Sequence, residues 1–224
     1  MSLLASLLIV LALSGVLMFV AAAAYRTPVL APCRLKDDPN RKVSGKRLYV
    51  RVFANMTFSA ALVFAMAYGA YDLLFTEADV PMWRTAVQLV AILLVYDFLY
   101  YLMHRFAFHQ WAWLKKVHAV HHTVRHPNAV DSLYLHPLET FLGLFLLMVC
   151  TAALGPVTPA AFGVVFGAYS FLNILVHCGL DIPIVGLRTI GFLARKHDLH
   201  HTSMRGGNFA SITPIWDRLF GTAE

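Results

Sequence analysis

The sequence predicts an all-α protein, a multi-span transmembrane helical bundle with about four to five membrane helices. Three observations predict it. Of 224 residues, 59% are apolar and only 13% charged, whereas globular domains carry about 25% charged residues. Several apolar runs are long enough to cross a bilayer. The chain also holds eleven histidines, a density that needs water or a shared ligand beside such runs, because a buried unpaired polar group is costly.

The formal charge of +6 does not point to nucleic acid, because the basic residues sit largely in one loop between apolar segments. An anionic membrane surface fits that loop better. Cys33, Cys150 and Cys178 lie far apart with no CxxC spacing, so they are read as unpaired structural thiols.

Leu3 to Ala24 carries no charge and matches the length of a spanning helix. "MSLLAS" lacks the positive start of a cleaved signal peptide, so a retained helix is expected. "YRTPVLAPCRLKDDPNRKVSGKRLYVR" follows, with eight Lys/Arg against two Asp; its prolines and glycine make it a loop. Ala54 to Phe75 is the second span, "TEADVPMWR" turns the chain, and Thr85 to Met103 is the third. Leu138–Leu154 and Ala160–Val176 flank "GPVTP" and are short enough for a full or a shallow re-entrant hairpin. The polar tail, Asp181 to Glu224, belongs at or beyond the surface. The basic loop should be cytoplasmic by the positive-inside rule. Counting crossings from it brings every histidine cluster to that same face.

The histidines have spacing. His104 and His109 form HX4H, and HX2HH occurs twice, at His118, His121, His122 and at His197, His200, His201. On a helix each triplet spans an arc of about 100°, whereas His104 and His109 diverge by about 140°. Those two either serve different metals or sit where the helix unwinds. Neutral imidazole suits iron, zinc and copper, and so many donors exceed one ion's coordination. Two ions with four or five ligands each would use them. His126, which precedes Pro127, is read as a surface or headgroup contact. HExxH, GxSxG and P-loop signatures are absent. A bis-histidine haem bundle would not pack triplets on one turn, and a histidine-lined pathway would place them inside the spans.

"DFLYYLMHRFAFH", "VHAVHH", "LHPLE", "KHDLHH" and "WDRLFGT" together resemble the fatty acid hydroxylase/sterol desaturase superfamily of membrane di-iron enzymes, from about Tyr96 to Thr222. The resemblance implies a membrane anchor beneath a cytosolic-face helical cap that holds a histidine-rich dinuclear site. It implies two iron ions, O₂ as co-substrate and reducing equivalents from an external donor, cytochrome b5-like or ferredoxin-like. A lipid would be hydroxylated or desaturated at an unactivated C–H bond, in a bacterial inner membrane or the endoplasmic reticulum. Residues 1–53 would then be an N-terminal membrane helix and basic loop, and 54–224 the catalytic domain.

The ligands so implied are His104, His109, His118, His121, His122, His197, His200 and His201. His136 matches the "HP.E" position and His177 the histidine after the last span. "GGNFAS" departs from the Asn-Tyr-Gly often found there. Asp97, Tyr101 and His104 share a helical face, so Asp97 is expected to accept a hydrogen bond from a ligand's free N–H and orient it. Asn173 and His177 make a similar i, i+4 pair. Asp217 and Arg218 are expected to fix the cap's fold. The rival reading is a non-enzymatic histidine-rich membrane protein that binds or transports metal.

Overall fold

The computed structural model describes residues 1–36 and 45–224. Its helices in chain order are α1 (Leu3–Arg26), α2 (Lys46–Gly69), α3 (Tyr71–Leu74), α4 (Met82–Leu102), α5 (Ala112–His118), α6 (Pro137–Leu154), α7 (Pro159–Val176), α8 (Arg188–Thr202) and α9 (Ile215–Leu219). Among the described residues, five stretches are long and apolar enough to cross a membrane: α1, α2, α4 with its continuation to Phe108, α6 and α7. The all-helical, multi-span architecture is the expected one.

Local chemistry sets the helix ends. Ser2 Oγ accepts the Ala5 N–H and starts α1. Pro137 and Pro159 open α6 and α7, where a missing N–H removes no helical bond. One boundary differs clearly from expectation. α2 begins at Lys46 instead of Ala54 because Lys46, Arg47 and Arg51 can extend the helix while their long stems carry the charges to water. The preceding loop is correspondingly shorter and contains a 3₁₀ turn at Pro28–Cys33. Residues 37–44 of that loop lie outside the described residues.

α1 lies along α7, α4 packs on α6 and α7, and α2 packs on α6. At Gly163 the α1–α7 approach is close: an added Cβ would lie 3.2 Å from Ser6 Cβ. Leu7, Val63, Ile92, Leu147 and Phe162 are fully buried between the helices. Leu4, Leu8, Phe53, Val87 and Phe145 point outward, the faces a lipid environment accepts.

The chain after α8 folds back onto α4. Asp97, buried in α4, accepts the N–H groups of Ser211 (3.0 Å), Ile212 (2.7 Å) and Thr213 (3.0 Å) and the Thr213 hydroxyl (2.7 Å). It therefore pins this tail and orients no imidazole, contrary to the sequence expectation. The reason is competition: three consecutive backbone donors and a hydroxyl satisfy both carboxylate oxygens. Tyr101 acts similarly, with its hydroxyl 3.2 Å from Thr222 Oγ1 and 2.6 Å from Arg105, which donates to it. Asp217 accepts from the Phe209 N–H (2.7 Å) and Ala210 N–H (3.0 Å) and pairs with buried Lys196 at 2.7 Å.

Asp97→Ala should leave the N–H groups of residues 211–213 without their acceptor. Hydrogen bonds to a charged group contribute about 1.5–3 kcal/mol each, so the loss should reach about 3 kcal/mol or more. Thermal unfolding in detergent and proteolysis of the tail would measure it. Asp97→Asn, which keeps one acceptor oxygen, should lose less.

Candidate metal centre

Buried and half-buried histidines converge at one end of the bundle in two groups. His104, His109, His118, His122 and His200 form one; His121, His177, His197 and His201 form the other. Within each group the available ligand atoms all lie within 4.8 Å of one another.

Backbone geometry explains the sorting. From Met103 to Phe108 the α4 helix widens into a π-helical turn, and the His109 N–H donates to the His104 carbonyl. That i→i+5 bond stacks residues five apart, so both imidazoles reach the same group despite their α-helical divergence. The helix does depart from α geometry here, which was one of the two alternatives. Each HX2HH triplet divides. His118 and His122 join the first group and His121 the second; His197 and His201 join the second and His200 the first. The first triplet is not on a continuous helix, because α5 ends at His118 and His121–Thr123 is a 3₁₀ turn.

Most rings are held through Nδ1. Those of His104 and His200 donate to the Phe209 and Gly207 carbonyls, both at 2.7 Å, and that of His109 to the Met204 carbonyl at 3.0 Å. His201 donates to the Val124 carbonyl at 2.8 Å, and His121 and His177 address the Tyr134 and Asn173 carbonyls. His118 donates to Glu139 Oε1 at 2.7 Å. A carbonyl only accepts, so the ring hydrogen sits on Nδ1 and Nε2 is bare in a neutral imidazole. Burial favours that neutral form, holding His177 at about 4 and His200 at about 3 and pushing His118, His121, His122, His197 and His201 down as well.

These bare nitrogens face each other. Nε2 atoms are 3.0 Å apart between His104 and His118 and 3.0 Å apart between His121 and His177. Two lone pairs at that distance, with no proton to share, repel; a cation between them turns the repulsion into bonding. Donors at right angles around an ion with bonds of about 2.0–2.1 Å lie about 3 Å apart. His109 Nε2 is buried with no partner, a further donor in the same group. The residues fit a metal pair, and an all-nitrogen set suits iron, zinc or copper.

Not every candidate converges. His136 lies in neither group: its Nδ1 accepts the Leu138 N–H at 3.1 Å and caps α6. The lone pair expected on a metal is engaged at the helix start. His126 is also outside, 3.0 Å from Asp198. Asn173 meets His177 through its main-chain carbonyl, while its side-chain amide points to the Ser132 carbonyl at 3.5 Å. The carboxylate that orients an imidazole within the two groups is Glu139, present in the sequence as part of "LHPLE". An acid inside an apolar run, one residue into the Leu138–Leu154 span, was the available signal.

The groups open onto a cavity between α1, α2, α4, α6 and α7. Its wall is largely apolar, with Leu11, Met18, Met56, Leu144, Phe166 and Ile174.

A family model described as fatty acid hydroxylase matches residues 89–222. Methylsterol monooxygenase 1 of Rattus norvegicus is 34% identical over 152 residues, 63% of this chain and 48% of that protein. Cholesterol 25-hydroxylase-like protein 2 of Danio rerio is 34% identical over 161 residues, 64% of this chain and 55% of that protein. Ornithine lipid hydroxylase OlsE of Rhizobium tropici is 29% identical over 143 residues, 62% of this chain and 43% of that protein. The chain spans about half the length of the curated relatives it matches. No solved structure matches it.

His122→Ala should release metal from the first group, read by elemental analysis of purified protein. His136→Ala and His126→Ala should keep the wild-type metal content. Glu139→Ala should weaken metal binding by about 10–100-fold, the usual effect of removing a carboxylate behind a ligating imidazole.

Proposed function

The chain belongs to the fatty acid hydroxylase family, and from that premise we propose that it is a membrane oxidoreductase using O₂ and two irons to hydroxylate or desaturate a lipid. The observation that carries the proposal is the pair of convergent bare-imidazole groups at the head of an apolar cavity between membrane helices. His104, His109, His118, His122 and His200 would hold one iron, and His121, His177, His197 and His201 the other. When bound, the irons would activate O₂, the oxidant needed to break an unactivated C–H bond. Each turnover would consume one O₂, two electrons and two protons. It would yield an alcohol and one water, or an alkene and two waters.

The protein's part is binding and exclusion. The cavity's apolar wall would hold the lipid and keep bulk water from the histidines. Main-chain carbonyls of the tail, of the loops and of α7, with the Glu139 carboxylate, would keep seven of the nine rings in the ligating tautomer. Electrons would come from an external cytochrome b5-like or ferredoxin-like partner. The positive-inside argument places the histidine end toward the cytoplasm, of a bacterial inner membrane or the endoplasmic reticulum.

A non-enzymatic zinc-binding or transport protein is the rival. Structural zinc takes four ligands in a closed site, which does not account for a five-histidine group or for an apolar cavity beneath both groups.

Anaerobically purified protein should contain close to two irons per chain, and lipids of expressing cells should show a product heavier by one oxygen or lighter by two hydrogens. One tightly held zinc with an unchanged lipid profile would favour the rival. Gly15 lines the cavity, and a Cβ there meets nothing within 4 Å. Gly15→Phe should therefore add a ring that narrows the cavity, with no clash at its Cβ. Product formation should fall at least tenfold, while iron content stays at the wild-type level.

A further inference from the structure

The first histidine group can be approached from two sides. On one side His104 and His118 line the apolar cavity. On the other, His109 lines a surface depression that none of the other eight grouped histidines reaches. Phe209 is the one residue common to both walls, with its ring 5.7 Å from that of His104 and 5.1 Å from that of His109. It separates the lipid side of the group from the depression.

The depression is polar and basic. Arg105, Lys115 and Arg205 line it against one side-chain carboxylate, Glu224. No carboxylate among the described residues ion-pairs with any of these three cations. Arg105 donates to the Tyr101 hydroxyl, Lys115 is half-buried and Arg205 is exposed. The flanking sequence deepens the imbalance: residues 98–130 hold four Lys/Arg and no Asp or Glu, and residues 199–216 hold one Arg and no Asp or Glu. Like charges gathered without counter-charges repel one another and draw in a partner of opposite sign.

Beneath these cations lies His109, only 6% exposed. Its ring is 4.9 Å from that of His200, 5.0 Å from those of His104 and His118, and 5.3 Å from that of His122. One imidazole thus reaches from the floor of the depression to every other member of the group. The oxidation proposed above takes electrons from outside the chain, and its lipid occupies the cavity side. The depression is the approach left for a reductant.

We propose that this depression docks a one-electron carrier protein through an acidic face, with the His109 imidazole as the electron's path into the first group. Each docking event oxidises the carrier by one electron, so two events supply the two electrons of one turnover. This names the partner's chemistry and its seat for the oxygenase reading, and rests on that reading.

The test uses full-length, iron-loaded protein in phosphatidylcholine nanodiscs. The probes are two acidic carriers, the soluble domain of a cytochrome b5 and a plant-type two-iron ferredoxin, with basic cytochrome c as control. Association is measured between about 0.01 and about 0.1 M ionic strength, over which the screening length shrinks from about 30 to about 10 Å. At least one acidic carrier should associate more slowly at the higher salt, by about tenfold or more, and cytochrome c should not bind. Lys115→Glu combined with Arg205→Glu should slow association at low salt by about tenfold or more, and Lys115→Gln with Arg205→Gln should fall between. Iron content and reduction by dithionite should stay at wild-type levels in both, which shows that they fold. Arg84→Glu, about 30 Å along α4 from the depression, should change nothing.

If neither acidic carrier binds wild type, or if the reversed pair binds as wild type does, the inference is overturned. Unchanged carrier binding with weakened capture of phosphatidylserine would assign these cations to a lipid headgroup and overturn it too. Oxygenated or desaturated product is assayed in the same preparations with dithionite as the reductant. Product without carrier docking would sink this inference alone; docking without product would sink the oxygenase reading alone.

Discussion

An imidazole that donates from Nδ1 cannot, while neutral, donate from Nε2. The histidine end of this protein depends on that constraint. Tail and loop carbonyls take the Nδ1 hydrogens, burial keeps the rings uncharged, and the remaining nitrogens are driven together with only lone pairs to offer. Without a cation the arrangement is repulsive. With one, the same hydrogen bonds become a scaffold that fixes seven of the nine rings before the ion arrives.

The scaffold itself rests on two buried carboxylates that touch no histidine. Asp97 ties residues 211–213 to α4, and Asp217 ties residues 209–210 to its own turn while neutralising Lys196 on α8. Those contacts hold the strip of chain whose carbonyls at Met204, Gly207 and Phe209 address the rings. Asn208 within that strip has a positive φ of 61°, a conformation asparagine tolerates better than most residues. Burying charge to hold backbone is costly unless every oxygen is satisfied, and here the donors are in place.

Much of this was legible in the chain. Long uncharged runs read directly as spans, because length and apolarity are what a bilayer selects. The HX2HH triplets identified the site, since no core needs that many imidazoles. The errors share a cause. Asp97 was assigned to a ligand ring because helical periodicity gives its face, and that face is correct: Asp97, Tyr101 and His104 all meet the tail. Periodicity could not say that the tail's backbone, and not an imidazole, would occupy the carboxylate. His104 and His109 were ambiguous because nothing in "HRFAFH" announces a π-turn. The carbonyls that choose the tautomers are invisible in sequence, because every residue has one.

Each HX2HH turn reaches into both histidine groups, so the two centres are not separable modules. An ion that draws His118 and His122 together also determines where His121 points, and the same holds for His197, His201 and His200 on α8. Filling one group therefore changes the affinity of the other, and by thermodynamic linkage the influence runs equally in both directions. Metal uptake at the two groups would therefore be coupled, with neither group filling independently of the other.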